Sequence, residues 1–131
     1  MKSTTHFLIV DDYSTIRTLV RGQLNSFGFE FITECQNVDE AIRFLESGPE
    51  KPVEFIISDW NMPGKTGLEF LGWVRSSEGH KKLPFLMLTT ENEKAKVLAA
   101  ISAGASNFLF KPWDEEELAG KLQLCWKKHH P

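Results

Sequence analysis

Short, unbroken apolar runs are the sequence feature that most constrains the fold. Four of them occupy residues 7–10, 55–57, 85–88 and 108–110, and a weaker fifth run covers residues 29–35. A strand with one face in water alternates apolar and polar residues, whereas a strand covered on both faces does not. The runs therefore predict strands of a parallel sheet that is buried on both faces.

Helical periodicity follows each of these runs. Apolar residues recur at spacings of three and four in segments 16–27, 41–45, 68–74, 97–101 and 118–125. Such spacing places residues on one face of a helix, so we expect Leu19, Leu98 and Ile101 to be among the residues that face the core.

Two capping boxes support the predicted helix starts. Thr66 with Glu69 and Asp114 with Glu117 have the required residue types and spacing. Strand and helix alternate five times along the chain, which predicts an α/β fold with a parallel sheet, helices on both faces and right-handed crossovers.

Length, charge and cysteine content exclude several classes of protein. The 131 residues suit one domain, here residues 1–131, and we expect no output domain because the sequence ends soon after the fifth predicted helix. The net charge of -3 predicts no general affinity for nucleic acid, and no apolar segment is long enough for a membrane span or a signal peptide. Cys35 and Cys125 are interpreted as buried thiols, which indicates a reducing, cytoplasmic location.

Chemically reactive residues stand immediately after four of the five predicted strands. Asp11 and Asp12 follow the first strand, Asp59 the third, Thr89 the fourth and Lys111 the fifth. In an open parallel sheet, ligands bind beyond the carboxyl ends of the strands. The fold therefore predicts that three carboxylates, a hydroxyl and an ammonium group share one edge of the sheet.

Three carboxylates in one pocket would take up protons or move apart unless a cation joined them. Oxygen ligands with open positions suit Mg²⁺, which also binds phosphate oxygens, and the neighbouring lysine adds a positive charge for an anion. A carboxylate nucleophile, a metal and a lysine are the groups that aspartyl-phosphate chemistry requires.

Four motifs carry a resemblance to a known family: residues 10–14, 58–63, 103–106 and 111–112. Over about residues 7–126 the chain resembles the response-regulator receiver family, most of all its single-domain chemotaxis regulators. The resemblance implies a flavodoxin-like, doubly wound (βα)5 fold with five parallel strands in the order 2-1-3-4-5. It also implies a phosphorylation-controlled binding switch rather than an enzyme.

The same resemblance assigns metal ligands and a phosphorylation site. It implies that Asp59 is the phosphoacceptor and that Asp12, Asp59 and the Asn61 carbonyl bind Mg²⁺ directly. Asp11 would hold the metal through a water molecule. The Lys111-Pro112 peptide bond is expected to be cis, as in the family.

Further roles implied by the resemblance concern the transferred group and the switch. Thr89 would donate a hydrogen bond to the phosphoryl group, Lys111 would pair with it, and Phe108 occupies the aromatic switch position. The implied partners are a histidine kinase as phosphodonor, a target on the face of helix 4, strand 5 and helix 5, such as the flagellar motor switch, and a phosphatase. The protein is expected to be a monomer.

Two departures from the family pattern stand out. Phe108 occupies a position where the chemotaxis regulators usually have tyrosine, and residues 64–66 replace a stretch that often contains Met-Asp. Thr66 can cap the third helix as an aspartate would, while Lys65 adds a positive charge near the predicted site.

Two other functions compete with the chemotaxis assignment. A metal-dependent phosphatase would carry Asp-x-Asp after the first strand and a substrate lid, whereas Asp11 and Asp12 are adjacent and no segment is available for a lid. A receiver outside motility, acting as a phosphorelay shuttle or an adaptor, remains the alternative, chiefly because of Phe108. A DNA-binding regulator is disfavoured because no basic helix is present.

Overall fold

A computed structural model describes residues 1–90 and 94–131, and the predicted strands and helices alternate along it. The strands are β1 (Phe7–Val10), β2 (Ile32–Cys35), β3 (Phe55–Asp59), β4 (Phe85–Thr90) and β5 (Asn107–Lys111). The helices are α1 (Ser14–Ser26), α2 (Val38–Glu46), α3 (Gly67–Ser76), α4 (Lys94–Ser102) and α5 (Glu115–His129). All neighbouring strands are parallel, in the order β2-β1-β3-β4-β5, which confirms the predicted fold.

The sheet separates two apolar clusters. Leu8 and Val10 of β1 belong to a cluster with α2, α3 and α4, whereas Phe7 and Ile9 belong to a cluster with α1 and α5. All four side chains are fully buried. Successive side chains of a strand point to opposite faces, so an unbroken apolar run is what a sheet with helices on both faces requires.

Several predicted core residues of the helices lie at the surface. Leu19, Leu98 and Ile101 are 44%, 72% and 39% exposed, so their assignment to the core is wrong. Among residues 95–102 of α4, the buried ones are Val97 and Ala100, which stand three positions apart on one stripe of the helix. Leu98 and Ile101 each follow one of these residues and are therefore rotated by about 100° away from that stripe.

Strand β2 starts later than the apolar run at residues 29–35 suggests. Gly28 ends α1 with a φ of 95°, and its N–H donates to the Asn25 carbonyl at 3.0 Å. The N–H of Phe29 donates to the Leu24 carbonyl, also at 3.0 Å. These two bonds form a Schellman motif, so Phe29 completes the end of the helix and the strand begins at Ile32.

Local predictions about helix starts and cysteines are confirmed. Capping boxes join Thr66 to Glu69 at α3 and Asp114 to Glu117 at α5. The two cysteines are buried free thiols, and burial raises the pKa of each to about 12. Among the helices of residues 1–90 and 94–131, none is long and apolar enough to cross a membrane.

The C-terminal end of α5 is anchored to the amino edge of the sheet. His129 Nε2 lies 2.8 Å from Ser106 Oγ, and Lys128 Nζ donates to the Ser106 carbonyl at 2.7 Å. The same Oγ accepts from the Phe85 N–H at 2.9 Å, with Arg75 Nη2 at 3.5 Å. With the Phe85 N–H donating to this oxygen, a neutral His129 can accept the serine O–H at Nε2, whereas a protonated imidazole would add a further donor to the same oxygen.

This anchor predicts a loss of stability in mild acid. Burial, followed by the charges of Arg75, His130 and Lys128, holds the pKa of His129 below its ordinary value of 6.5. A depressed histidine pKa contributes stability that is fully present above the unfolded-state pKa and is lost as the pH falls through the folded-state pKa. The free energy of unfolding can be measured in urea at pH values from about 8 to about 5. As the pH falls, it should decrease more for wild type than for His129→Gln, because glutamine does not titrate.

Two results would contradict this prediction. One is a stability difference between wild type and His129→Gln that stays constant over that pH range. The other is an NMR titration in which the folded-state pKa of His129 lies above 6.5.

Candidate functional site

The strand register brings Asp11 and Asp59 side by side. Val10 is paired with Ser58 across β1 and β3, so the next residue of each strand segment is an aspartate. Asp11 is fully buried, Asp59 is 3% exposed, and Asp12 is half-buried beside them. One carboxylate oxygen from each of the three lies within 4.8 Å of the other two, which confirms the predicted meeting of carboxylates at this edge.

Lys111, at the end of β5, supplies the positive charge of this acidic site. Its Nζ donates to Asp59 Oδ1 at 2.6 Å and lies 3.6 Å from Asp11 Oδ2. The Lys111-Pro112 bond is cis, as predicted. With all groups ionised, the charges of three carboxylates and one ammonium group leave two negative charges uncompensated.

Burial and mutual repulsion make these carboxylates resist ionisation. Burial is the main cause that raises the pKa of Asp59 to about 6, and the hydrogen bond from Lys111 opposes it, while Asp11 and Asp12 add to the rise. Burial also raises the pKa of Asp11, against the hydrogen bond from the Tyr13 N–H and the charge of Lys111. The ionised site is thus held together at a free-energy cost that a bound cation would reduce.

Two oxygens of the site have the features of metal ligands. Asp11 Oδ2 and Asp12 Oδ1 are buried, and within the described part of the chain neither accepts a hydrogen bond. Buried polar atoms are almost always satisfied in native proteins, so such a pair points to a missing partner. Carboxylate oxygens are the donors that Mg²⁺ prefers, and the residues present therefore fit this ion.

The start of α3 packs directly against the strand that carries Asp59. The Gly67 N–H donates to the Trp60 carbonyl at 2.8 Å. A Cβ at position 67 would lie 2.2 Å from the Asp59 carbonyl oxygen and 3.0 Å from both Met87 Sδ and the Trp60 Cα. Only glycine fits this approach, since a methyl group would displace the backbone of the acidic site.

Replacing Gly67 by alanine should therefore destabilise the protein by about 1–3 kcal/mol, as overpacking does elsewhere. Gly72 is the matched control, because it lies in the same helix and a Cβ there meets no atom within 4 Å. Gly72→Ala should be neutral or stabilising by up to about 1 kcal/mol, since alanine favours the helix. Urea unfolding of both variants tests the difference, and equal stabilities would contradict the close packing at Gly67.

The remaining predicted site residues lie around this acidic site. Thr89 is buried near the end of β4, where the register pairs the following Thr90 with Lys111. Asn61 is exposed in the loop between β3 and α3. Phe108 is half-buried two residues before Phe110 on the same strand, and their ring centroids are 5.1 Å apart.

The added charge of Lys65 is compensated by α2. Lys65 Nζ lies 2.5 Å from Asp39 Oδ1 in the first turn of that helix. The hydrogen bond and the opposite charge raise the pKa of Lys65 and lower the pKa of Asp39. Both side chains are exposed, so the pair places little uncompensated charge near the acidic site.

Two contributors to the site carry weak signals in the sequence. Arg17 looks like an ordinary polar residue of α1, yet its Nη1 donates to the Asp11 carbonyl at 2.6 Å. Gly67 follows the capping residue Thr66. Glycine is unfavourable inside a helix, so its presence in the first turn is the signal in the sequence that indicates close packing at this position.

The parallel sheet and the acidic site with its lysine are features of one class of protein. The chain is a member of the response regulator receiver family, whose domain matches residues 7–123. Receiver domains serve two-component signalling rather than classical enzyme catalysis, and they interact with histidine kinases. Within the family, the chain is similar to the CheY chemotaxis proteins.

Two sequence relatives and one solved structure illustrate this similarity. The chain is 38% identical to chemotaxis protein CheY1 of Helicobacter pylori over 117 residues, covering 89% of this chain and 93% of that protein. It is 36% identical to chemotaxis protein CheY of Pseudomonas aeruginosa over 121 residues, covering 92% and 95%. The structure of the chemotaxis response regulator CheY4 of Vibrio cholerae has a TM-score of 0.83 at 34% identity, covering 93% and 98%.

Proposed function

We propose that this protein is a chemotaxis response regulator of the cytoplasm, which accepts a phosphoryl group on Asp59 and then binds a protein target. The observation that carries the proposal is the Lys111–Asp59 contact of 2.6 Å beside two buried carboxylate oxygens that accept no hydrogen bond within residues 1–90 and 94–131. Asp11, Asp12, Asp59 and the Asn61 carbonyl would hold Mg²⁺. Bound there, the ion supplies charge neutralisation for the phosphoryl oxygens.

The phosphodonor is a phosphohistidine of a histidine kinase. A carboxylate oxygen of Asp59 attacks phosphorus in line, the O–P bond forms, and the N–P bond to the histidine breaks with its electron pair returning to the imidazole. Water later attacks the phosphorus of the acyl phosphate, which releases inorganic phosphate and restores the Asp59 carboxylate. A phosphatase partner would accelerate this second step.

Lys111 and Thr89 prepare the site for the incoming group. Lys111 already contacts Asp59 Oδ1, so its ammonium can transfer this hydrogen bond to a phosphoryl oxygen without a large movement. Thr89 is 2% exposed near the end of β4, and its hydroxyl would donate to another phosphoryl oxygen. Each new bond favours the phosphorylated conformation and so shifts the population toward it.

Phe108 would connect the acidic site to the target surface. Movement of Thr89 toward the phosphoryl group vacates space that the half-buried ring can fill. In the resting structure, Lys121 Nζ lies 4.7 Å from the centroid of this ring. Inward rotation would therefore also alter the surface where β5 meets α5.

The surface formed by α4, β5 and α5 is the proposed target site. Leu98 and Ile101 of α4 are 72% and 39% exposed, and Leu124 of α5 is 54% exposed. Leu124 stands three residues after Lys121, so the two share one flank of α5. Exposed apolar side chains beside a lysine suit a target with apolar anchors and acidic neighbours, such as a flagellar motor switch protein, bound by a monomer of this chain.

A function outside motility, as a phosphorelay shuttle or an adaptor, is the second candidate, and Phe108 is the observation that favours it. Phenylalanine cannot donate the hydrogen bond that a tyrosine hydroxyl offers to a target. Affinity capture with and without beryllofluoride separates the two candidates, because it identifies the partner that prefers the activated state.

Phosphorylation at Asp59 is directly testable. After incubation with acetyl phosphate and Mg²⁺, borohydride reduction and mass spectrometry should locate the acyl phosphate at Asp59, because that carboxylate contacts Lys111. Asp59→Asn should abolish labelling, since the amide is not a nucleophile of comparable strength. Asp39→Asn is a matched control, because Asp39 is an exposed aspartate paired with Lys65 outside the acidic site. Full labelling of the Asp59→Asn protein would overturn the assignment.

The role of Phe108 is testable by fluorine NMR of phenylalanine-labelled protein. A phenylalanine ring has no hydroxyl to desolvate, so the inward position is easier to reach at rest than for tyrosine. We expect two Phe108 environments whose populations shift on addition of beryllofluoride, with the resonance assigned by its loss in Phe108→Tyr. The fully buried Phe7 is an internal control that should not move. A single Phe108 resonance unchanged by beryllofluoride would identify a fixed core residue instead.

A further inference from the structure

The loop between β1 and α1 carries two of the three carboxylates of the acidic site, Asp11 and Asp12. Helix α1 starts there without a side-chain cap, because Tyr13 at the N-cap makes no such hydrogen bond within residues 1–90. The caps of α3 and α5 fix their preceding loops, whereas this loop lacks that restraint. Within the loop, the Tyr13 N–H donates to Asp11 Oδ1 at 2.9 Å. Contacts with the rest of the domain must also help to define where the two carboxylates lie.

Arg17 makes that contact from the second turn of α1. Its Nη1 donates to the Asp11 carbonyl at 2.6 Å, and its Nε donates to Glu34 Oε1 of β2 at 3.1 Å. The side chain is only 16% exposed. The Asp11 N–H donates to the Cys35 carbonyl at 3.1 Å, so both polar backbone groups of Asp11 are hydrogen-bonded.

The contact with Arg17 matters for metal binding because the two carboxylates of the loop repel each other when they are held close together. Asp11 Oδ2 and Asp12 Oδ1 are buried and accept no hydrogen bond from the residues that the structure describes, and one carboxylate oxygen from each of Asp11, Asp12 and Asp59 lies within 4.8 Å of the other two. Repelling groups on a loop with fewer restraints would move apart, and their reassembly when a cation binds would cost free energy.

Arg17 contacts the backbone of the loop, whereas Lys111 contacts the carboxylates. Lys111 Nζ lies 2.6 Å from Asp59 Oδ1 and 3.6 Å from Asp11 Oδ2. The guanidinium of Arg17 instead joins the Asp11 carbonyl to Glu34, which links the loop to β2 through α1.

Arg21 offers a natural comparison within the same cluster. Its Nε donates to Glu34 Oε2 at 2.6 Å, so it shares the carboxylate that Arg17 binds. Its Nη2, however, donates to the Ile32 carbonyl at 3.1 Å and not to the loop. The two arginines therefore differ in the feature of interest, the bond to the Asp11 carbonyl.

We infer that Arg17 is a positioning residue for the metal site, which holds Asp11 and Asp12 in place for a divalent cation through the Asp11 carbonyl. This inference rests on the proposed function, in which Mg²⁺ binds the acidic site. Outer contacts that orient metal ligands typically change metal affinity by about 10- to 100-fold when they are removed.

The test is calorimetric titration of Mg²⁺ into wild type, Arg17→Met, Arg21→Met and Arg17→Lys. Arg17→Met should weaken Mg²⁺ binding about tenfold or more, while Arg21→Met, which removes the other arginine bound to Glu34, should stay within about twofold of wild type. Arg17→Lys should recover part of the loss, since an ammonium group can still donate one hydrogen bond to the Asp11 carbonyl. Amide NMR of the metal-free proteins should show shifts at Asp12 and Tyr13 that are larger for Arg17→Met than for Arg21→Met.

The outcomes separate two failures. If wild type binds Mg²⁺ and Arg17→Met binds it equally well, the inference about Arg17 is wrong and the proposed function stands. Equal losses in Arg17→Met and Arg21→Met would also overturn it, because the effect would then come from Glu34. If wild type does not bind Mg²⁺, the metal site of the proposed function is itself wrong. Should Arg17→Met fail to fold, Arg17→Lys carries the comparison with Arg21→Met.

Discussion

Repulsion among three carboxylates at one edge of the sheet is the constraint on which the rest of the site depends. Parallel strands end at the same edge, so the register of β1 and β3 alone places Asp11 beside Asp59. Hydrophobic burial of the strands supplies the free energy that holds these charges together. Lys111 compensates one of the three negative charges. Because two negative charges remain, the site responds to any positive charge that is added to it.

The architecture around the site separates rigid from adjustable parts. The strands are buried on both faces between two apolar clusters, which holds their carboxyl ends in fixed register. Gly67 brings α3 against the Asp59 backbone, and Arg17 ties the loop of Asp11 to β2 through Glu34. On the other side, β5 is an edge strand with a half-buried aromatic residue and a partly exposed α4 beside it. The chemistry therefore rests on the constrained part of the domain and the proposed binding surface on the less constrained part.

Much of this arrangement could be predicted from sequence because it depends on local patterns. Unbroken apolar runs identify covered strands, and the residues that end them must meet at one edge whatever the details of packing. The capping boxes at Thr66 and Asp114 involve residues three apart and need no tertiary information. The exposure of Leu98 was not predictable in this way, since a rotation of α4 by one residue decides which apolar side chains are covered. Arg17 escaped prediction because its partners, Asp11 and Glu34, are chosen by tertiary packing.

The environment of Phe108 also has a consequence for how the edge of the sheet associates with other chains. The Phe108 N–H donates to Asn107 Oδ1 at 2.9 Å, and Lys121 Nζ donates to the same oxygen at 3.2 Å while lying over the ring. An incoming strand would meet a backbone donor that is already used and an ammonium group at the edge. Edge strands protected in this manner resist pairing with further strands, which limits sheet extension and aggregation. Recognition at β5 is thereby directed to side chains and helices, and away from β-strand addition.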